Sequence, residues 1–275
     1  MRIVLTGSLG HIGKPLTELL IACGHSVTVI SSSASRQPVI MSMGAKAAIG
    51  SVNDTAFLTT TFQGADMVYT MMPFNANTAA YADPHFDVEA EHLRIARNYA
   101  EAIQQSGVTN VIHLSTVGAH TPVGVGLLNP HFHVEGTLNL LPDQVRIKFM
   151  RPVGFYYNMY AFIPAIRGLR AIVQNYGGNE PEPWVSPIDV AEAITAEMEK
   201  PFAGRTVHYV ASDEVAPNEV ARILGEAMGI PDLKWVVVTD EEFQSSLIAA
   251  GLNAQVANGL TEMNASRING ILYDD

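Results

Sequence analysis

Arg2-Ile3-Val4-Leu5-Thr6-Gly7-Ser8-Leu9-Gly10-His11-Ile12-Gly13 opens the chain with a short apolar run and then three glycines in seven residues. Beyond it, Ile12, Leu16, Leu19, Leu20 and Cys23 recur at helical spacing and share one face, so Cys23 is expected to be buried, inert packing. Val27-Thr28-Val29-Ile30 then reads as a second strand. Strand, glycine turn, helix and strand in that order are the arrangement that seats a pyrophosphate. Gly7 suits the tight turn, Gly10 a close approach of backbone to anion, and Gly13 close packing of helix on strand. The main-chain N–H groups of Leu9, His11 and Ile12, at the opening of the helix, would face the phosphates. The spacing is G-x-x-G-x-x-G rather than the commoner G-x-G-x-x-G.

The same alternation continues. Ala47-Ala48-Ile49, Met67 to Met71, Val111 to Leu114 and Val145 to Met150 read as further strands. Helices are expected over 54–62, with Asp54 as N-cap, and over 85–106, stopped by Gly107. Strands alternating with helices call for a parallel sheet covered on both faces, and right-handed crossovers make it doubly wound. The fold class is therefore α/β, a doubly wound parallel sheet with a smaller, mostly helical C-terminal subdomain. Residues 1–150 are expected to form the nucleotide domain and 151–275 a substrate or lid subdomain. The latter reads as discontinuous, with about 185–212 returning to the main domain through a helix near 189–200 and a strand near 206–210.

The 275 residues carry 16 Lys+Arg against 27 Asp+Glu, a net charge of −11, which excludes a broad nucleic-acid surface because phosphate backbones need cations. The charge is uneven. Residues 1–65 hold four bases and two acids, whereas residues 178–275 hold 17 acids and five bases, so an anion is better received near the start of the chain. No apolar run reaches the ~18 residues of a membrane span, and no apolar leader precedes the first glycine. The lone Cys23 excludes an internal disulfide and fits a reducing compartment, so a cytoplasmic location is expected. Of the nine His, the tightest pair, His131-x-His133, does not share a helical face, and no pair has zinc-finger spacing, so no metal is expected.

An NAD-preferring site would carry an acid at the end of the second strand for the ribose hydroxyls. This chain has Ile30-Ser31-Ser32-Ser33-Ala34-Ser35-Arg36 there, and Ser31, Ser32 and Arg36 suit a 2′-phosphate, so NADP(H) is favoured over NAD(H). Met71, Met72, Pro73 and Phe74, ending the fourth strand, are candidates to pack on the coenzyme. Ser115 and Thr116 end the fifth strand at the carboxyl edge, where ligands bind in such sheets; a local backbone cap explains either hydroxyl equally well. Phe155, Tyr156 and Asn158, in an aromatic segment after the sixth strand, are candidates to line an apolar substrate pocket; aromatic core is the competing reading.

These features resemble the atypical short-chain dehydrogenases/reductases, and within them the NmrA-like family. Besides the glycine turn, the resemblance rests on Gly64-Ala65-Asp66, Ala96 to Ala102 with Gly107-Val108, Val111 to Gly118, Met150-Arg151-Pro152-Val153-Gly154-Phe155-Tyr156-Tyr157-Asn158 and Val185 to Ala191. It implies a Rossmann-like NAD(P)-binding domain and a small substrate domain. Some members are NADPH-dependent quinone or aromatic-substrate reductases, and others sense the coenzyme without turnover.

The Tyr-x-x-x-Lys of the classical group is missing here. By the resemblance His131, four residues before Glu135, stands where many relatives keep a Lys. A ribose contact, with charge when protonated, is its implied role, and His131, Ser115 and Thr116 are the catalytic candidates. The expected function is an NADP(H)-binding oxidoreductase passing hydride to a small apolar quinone, enone or carbonyl. The alternatives are a non-catalytic NADP-sensing regulator that works through a protein partner and, more weakly, a sugar-nucleotide epimerase or dehydratase.

Overall fold

The computed structural model describes residues 1–73 and 78–275. Seven strands form one parallel sheet: β1 (Arg2–Leu5), β2 (Ser26–Ser31), β3 (Lys46–Ile49), β4 (Met67–Met71), β5 (Asn110–Leu114), β6 (Arg146–Pro152) and, later in the chain, β10 (Arg205–Val210). Their spatial order is β10-β6-β5-β4-β1-β2-β3, and every pairing is parallel. The order reverses at β1/β4, the switch point beside which such sheets bind nucleotides. This is the expected doubly wound, Rossmann-like sheet.

The crossovers are α1 (Gly13–Ala22), α2 (Gln37–Ser42), α3 (Thr55–Phe62), α4 (Thr78–Ala82), α5 (Val88–Ser106) and α6 (Asn129–Asn139). The inner strands are buried on both faces, so their side chains divide between two apolar layers, while the edge strands β3 and β10 are partly exposed. Ile3 and Leu5 of β1 join Leu16, Leu20, Val190 and Ile194 under α1 and α8 (Pro187–Glu199). Val4 joins Val68, Ile95, Tyr99, Val111, Val134 and Leu138 under α5 and α6.

Local signals placed the helix ends. The Asp54 side chain accepts from Phe57 N–H at 2.9 Å as the expected cap of α3. Asp87 does the same for Ala90 at 3.0 Å, so α5 starts at Val88 rather than 85. The separate α4 ahead of it was not foreseen. Cys23 corrects the sequence reading: it follows α1 as its C-cap and is exposed, because the helix ends one residue short of the apolar stripe.

The second half is more regular than its Tyr- and Pro-rich texture suggests. It holds β7 (Gly154–Phe155), α7 (Ile163–Leu169), β8 (Ala171–Gln174), β9 (Glu182–Val185), β11 (Asp213–Val215), α9 (Pro217–Met228), β12 (Lys234–Val237), α10 (Asp240–Ala249) and α11 (Ala254–Ile268). β11, β9 and β7 form one small sheet, and β12 pairs with β8 in another. Phe162, Ile166, Ile172, Tyr176, Val220, Leu233 and Trp235 pack as a third apolar cluster. The same half lends β10, α8 and Leu272 to the main sheet and its core. Among the described residues no helix is long and apolar enough to cross a membrane.

Candidate coenzyme and substrate cleft

The glycine turn joins β1 to α1 over the switch point. Gly7 takes φ +87°, and a Cβ there would sit 2.9 Å from Met71 Sδ, so the position needs glycine twice over. Ser8 is left-handed as well, at φ 55°, which is strained for a residue with a side chain. Two bonds hold it: its N–H donates to Ile30 O at 3.1 Å, and its hydroxyl donates to Ser31 Oγ at 3.0 Å. A Cβ on Gly13 would lie 2.2 Å from Ser8 O, so glycine lets the helix start against the turn. Gly10 differs. It is exposed, and the nearest atom to a Cβ there would be Gly7 O at an ordinary 3.5 Å. Nothing in the protein needs glycine at Gly10, whereas an anion approaching the main chain would.

His11 is exposed, Ile12 half-buried as the N-cap of α1, and the first turn of that helix holds no acid. Leu9 is core, so only its main chain faces the turn. Arg36 reaches back from beyond β2, and its Nη1 donates to Leu9 O at 3.5 Å. Ser32 lies exposed between them in sequence. Ser31 does not stand open as expected: it is 3% exposed, and its hydroxyl accepts from both Ser8 and the Ser33 N–H. It braces the turn.

At the carboxyl edges of β4 and β5 the expected residues separate. Met71 packs beside Gly7, and its N–H donates to Thr6 Oγ1 at 3.1 Å. Met72 is 6% exposed and belongs to the core under α5, so its side chain is turned away from the cleft, contrary to expectation. Pro73 is exposed at that edge. Phe74 lies outside the described residues.

Ser115 also departs from expectation. It is buried, and its hydroxyl donates to Glu135 Oε1 at 2.5 Å. Glu135 is in turn held by Arg151, whose Nε and Nη2 donate to Oε1 and Oε2 at 3.0 and 2.7 Å. Arg151 Nη1 also donates to Tyr209 and to Asp275. Burial alone would push the Arg151 guanidinium down, but Glu135 and Tyr209 outweigh it and raise its pKa above the ordinary value. With Ser115 committed to this network, Thr116 is the half-buried hydroxyl left at the edge of β5.

His131 sits in the first turn of α6, the crossover helix from β5 to β6, so it lies at the same carboxyl edge. Burial, with His92 and His113 close by, holds its imidazole well below the ordinary range. It is neutral at pH 7 and supplies no charge, which corrects the role of a protonated stand-in for Lys.

After β6 the chain turns back over the cleft. Phe155 packs on the main core and Tyr156 stacks on Trp184, with centroids 6.0 Å apart. Asn158 is exposed. The residue that meets the glycine turn is Tyr157, whose ring lies 3.7 Å from that of His11, with Tyr160 edge-on to it at 5.4 Å. Sequence reasoning had no periodic signal for this meeting, because the two rings lie on separate crossovers. His92, His113 and the Glu135–Arg151 pair were missed for the same reason, although a His within Val111-Ile112-His113-Leu114 is an anomaly in itself.

Residues 7–137 match the NAD(P)H-binding family. The fold is shared with an NADPH-dependent quinone oxidoreductase of Escherichia coli solved with NADPH (TM-score 0.81, 20% identity, 99% of this chain and 91% of that one). It is shared too with a triphenylmethane reductase of Citrobacter sp. solved with NADP(H) (TM-score 0.77, 18% identity, 100% and 92%). A nucleoside-diphosphate-sugar epimerase of Staphylococcus aureus has TM-score 0.80 at 18% identity, covering 100% and 92%. The first half of this chain is thus an NAD(P)H-binding domain, in the fold of NAD(P)-binding reductases and epimerases, and the resemblance read from the sequence holds.

Proposed function

We propose that this protein is an NADP(H)-dependent oxidoreductase that reduces a small, apolar quinone, enone or carbonyl. The observation that carries the coenzyme choice is the Arg36 guanidinium brought to Leu9 O on the glycine turn, beside exposed Ser32 and with no carboxylate at the end of β2. A 2′-phosphate there meets a fixed cation, and no acid repels it.

Bound NADPH would supply the hydride. The protein's own groups divide the remaining tasks. The main chain at Gly7, Gly10, His11 and Gly13 grips the linked phosphates. Thr116 Oγ1 and the His131 imidazole offer hydrogen bonds at the edge of β5, where an acceptor oxygen gains charge. His11, Tyr157 and Tyr160 form an aromatic wall that suits a flat acceptor and sheds water. Residues 1–150 thereby supply the coenzyme side, and the acceptor side is shared between Thr116, His131 and His11 of that part and Tyr157 and Tyr160 of residues 151–275. The proton follows from water, since the Tyr-x-x-x-Lys pair is missing.

That same absence, with Ser115 locked onto Glu135, favours a second reading, an NADP sensor acting through a protein partner. One experiment separates them. Fluorescence titration with NADPH and NADH is followed by NADPH oxidation against a panel of quinones, enones and aldehydes. Turnover of any acceptor supports the reductase, and tight binding with flat traces across the panel supports the sensor. Arg36→Ala is expected to weaken NADPH by about 10- to 100-fold, the worth of a lost charge-assisted contact, and NADH by far less. Equal losses would refute the assignment of Arg36.

A further inference from the structure

Between the sheet and the helices α5 and α6 lie three imidazoles. His113, on β5, is fully buried, and its Nδ1 is 2.9 Å from Thr70 Oγ1 across the strand pair. Its Nε2 is enclosed and has no partner among the described residues. His131, on α6, has an enclosed Nδ1 that also lacks one. His92, on α5, donates from Nδ1 to Val88 O at 2.7 Å and stands edge to face with His131, centroids 5.3 Å apart. The rings are near enough for a charge on one to oppose a charge on the others, and burial keeps all three imidazoles neutral at pH 7. They form no metal-ligand group. One enclosed nitrogen on each of two electrostatically coupled rings, His113 Nε2 and His131 Nδ1, is left unsatisfied among the described residues, which native interiors avoid.

We propose that Thr70 and His113 are positioning residues that set the tautomer of His131. Thr70 O–H donates to His113 Nδ1, so the His113 proton sits on Nε2. That N–H donates, through one bound water, to His131 Nδ1. His131 must then carry its proton on Nε2. The half-buried ring presents that atom to the cleft as a fixed, neutral donor. A neutral imidazole of lowered pKa is the form that polarises a carbonyl oxygen rather than merely attracting an anion. Its buried supports explain how a neutral ring replaces a cation at this edge. The assignment of His131 to an acceptor oxygen rests on the reductase reading, but the tautomer does not.

The test therefore begins with a readout that needs no turnover. Long-range proton–nitrogen spectra of the full-length protein, with His131 assigned from its loss in His131→Gln, report which ring nitrogen is protonated. Wild type is expected to show Nε2 protonated and Nδ1 bare. In Thr70→Val, nearly isosteric but without the hydroxyl, the preference should fall by about tenfold, the worth of one net hydrogen bond. Thr70→Ser should restore it. His113→Leu should release the tautomer, whereas His113→Gln, which keeps an N–H donor, should retain it. A protonated Nδ1 in wild type, or a tautomer ratio unmoved in both Thr70→Val and His113→Leu, overturns the proposal. If the tautomer shifts as expected and no acceptor is ever turned over, the reductase reading fails and the relay stands. If turnover is found, kcat should fall in Thr70→Val with NADPH affinity unchanged.

Discussion

Acidification should destabilise this protein in a pH range where its carboxylates are still charged. His113 is completely buried on β5, and burial pushes its imidazole down from 6.5 to about 3, with His92 adding to the shift. In the unfolded chain the same ring takes up a proton near its ordinary value. Between those two values the unfolded state binds one more proton than the folded one, so stability rises with pH across the window. The contribution is complete above pH 6.5 and is lost as pH falls toward 3. From pH 6.5 to 5.0 the loss is 1.5 units at about 1.36 kcal/mol each, or about 2 kcal/mol from His113 alone. His92 and His131 are shifted the same way and add to it. Asp66, Glu197, Glu219, Asp232 and Asp275 are held below the ordinary carboxylate range, so their stabilising effect is lost only at lower pH.

General electrostatics pulls the other way. The net charge is −11, and acidification toward the pI of about 5.2 relieves self-repulsion. The sign of the change therefore shows which effect governs. Urea unfolding at pH 7.5, 6.5, 5.5 and 5.0, at protein concentrations low enough to avoid precipitation, should give falling midpoints at constant m. A free energy that stays level or rises from pH 6.5 to 5.0 would refute the reasoning, and so would a His113 resonance that titrates near 6.5.

Other positions make their own tests. Gly13→Ala places a Cβ 2.2 Å from the Ser8 carbonyl oxygen; overpacking of this kind costs about 1–3 kcal/mol, read as a lower melting temperature together with lost NADPH binding. Glu135→Ala leaves the buried Arg151 without its bidentate partner, and urea unfolding should show a loss of about 3–5 kcal/mol. Tyr157→Ala removes the ring tilted against His11. A pair of that kind is worth about 0.5–1.5 kcal/mol, so KM for a flat acceptor should rise by about 2- to 12-fold while the melting temperature holds.

The first 115 residues were legible because their signals are local. A short apolar strand, a glycine turn with Gly7 in the left-handed region, an Asp cap and a Gly stop are each written within a few neighbouring residues, and they agree with one another. The proposed coenzyme preference, read from Ser32 and Arg36, likewise rests on a single loop. What sequence missed concerns pairs distant along the chain. Ser31 and Ser115 look like ligand groups as hydroxyls at strand ends, yet Ser8 and Glu135 occupy them. Met72 alternates to the core face, and Cys23 emerges past the end of its helix.

The succession of strands and helices and the place of the glycine turn were determined by sequence alone, because hydrophobic pattern and turn chemistry are properties of short segments. Tertiary structure decided which polar groups remain open, which ring covers the turn, and why three histidines from β5, α5 and α6 share one buried space. Those outcomes follow from burial and from competition for hydrogen-bond partners, and both depend on which distant residues the fold brings together.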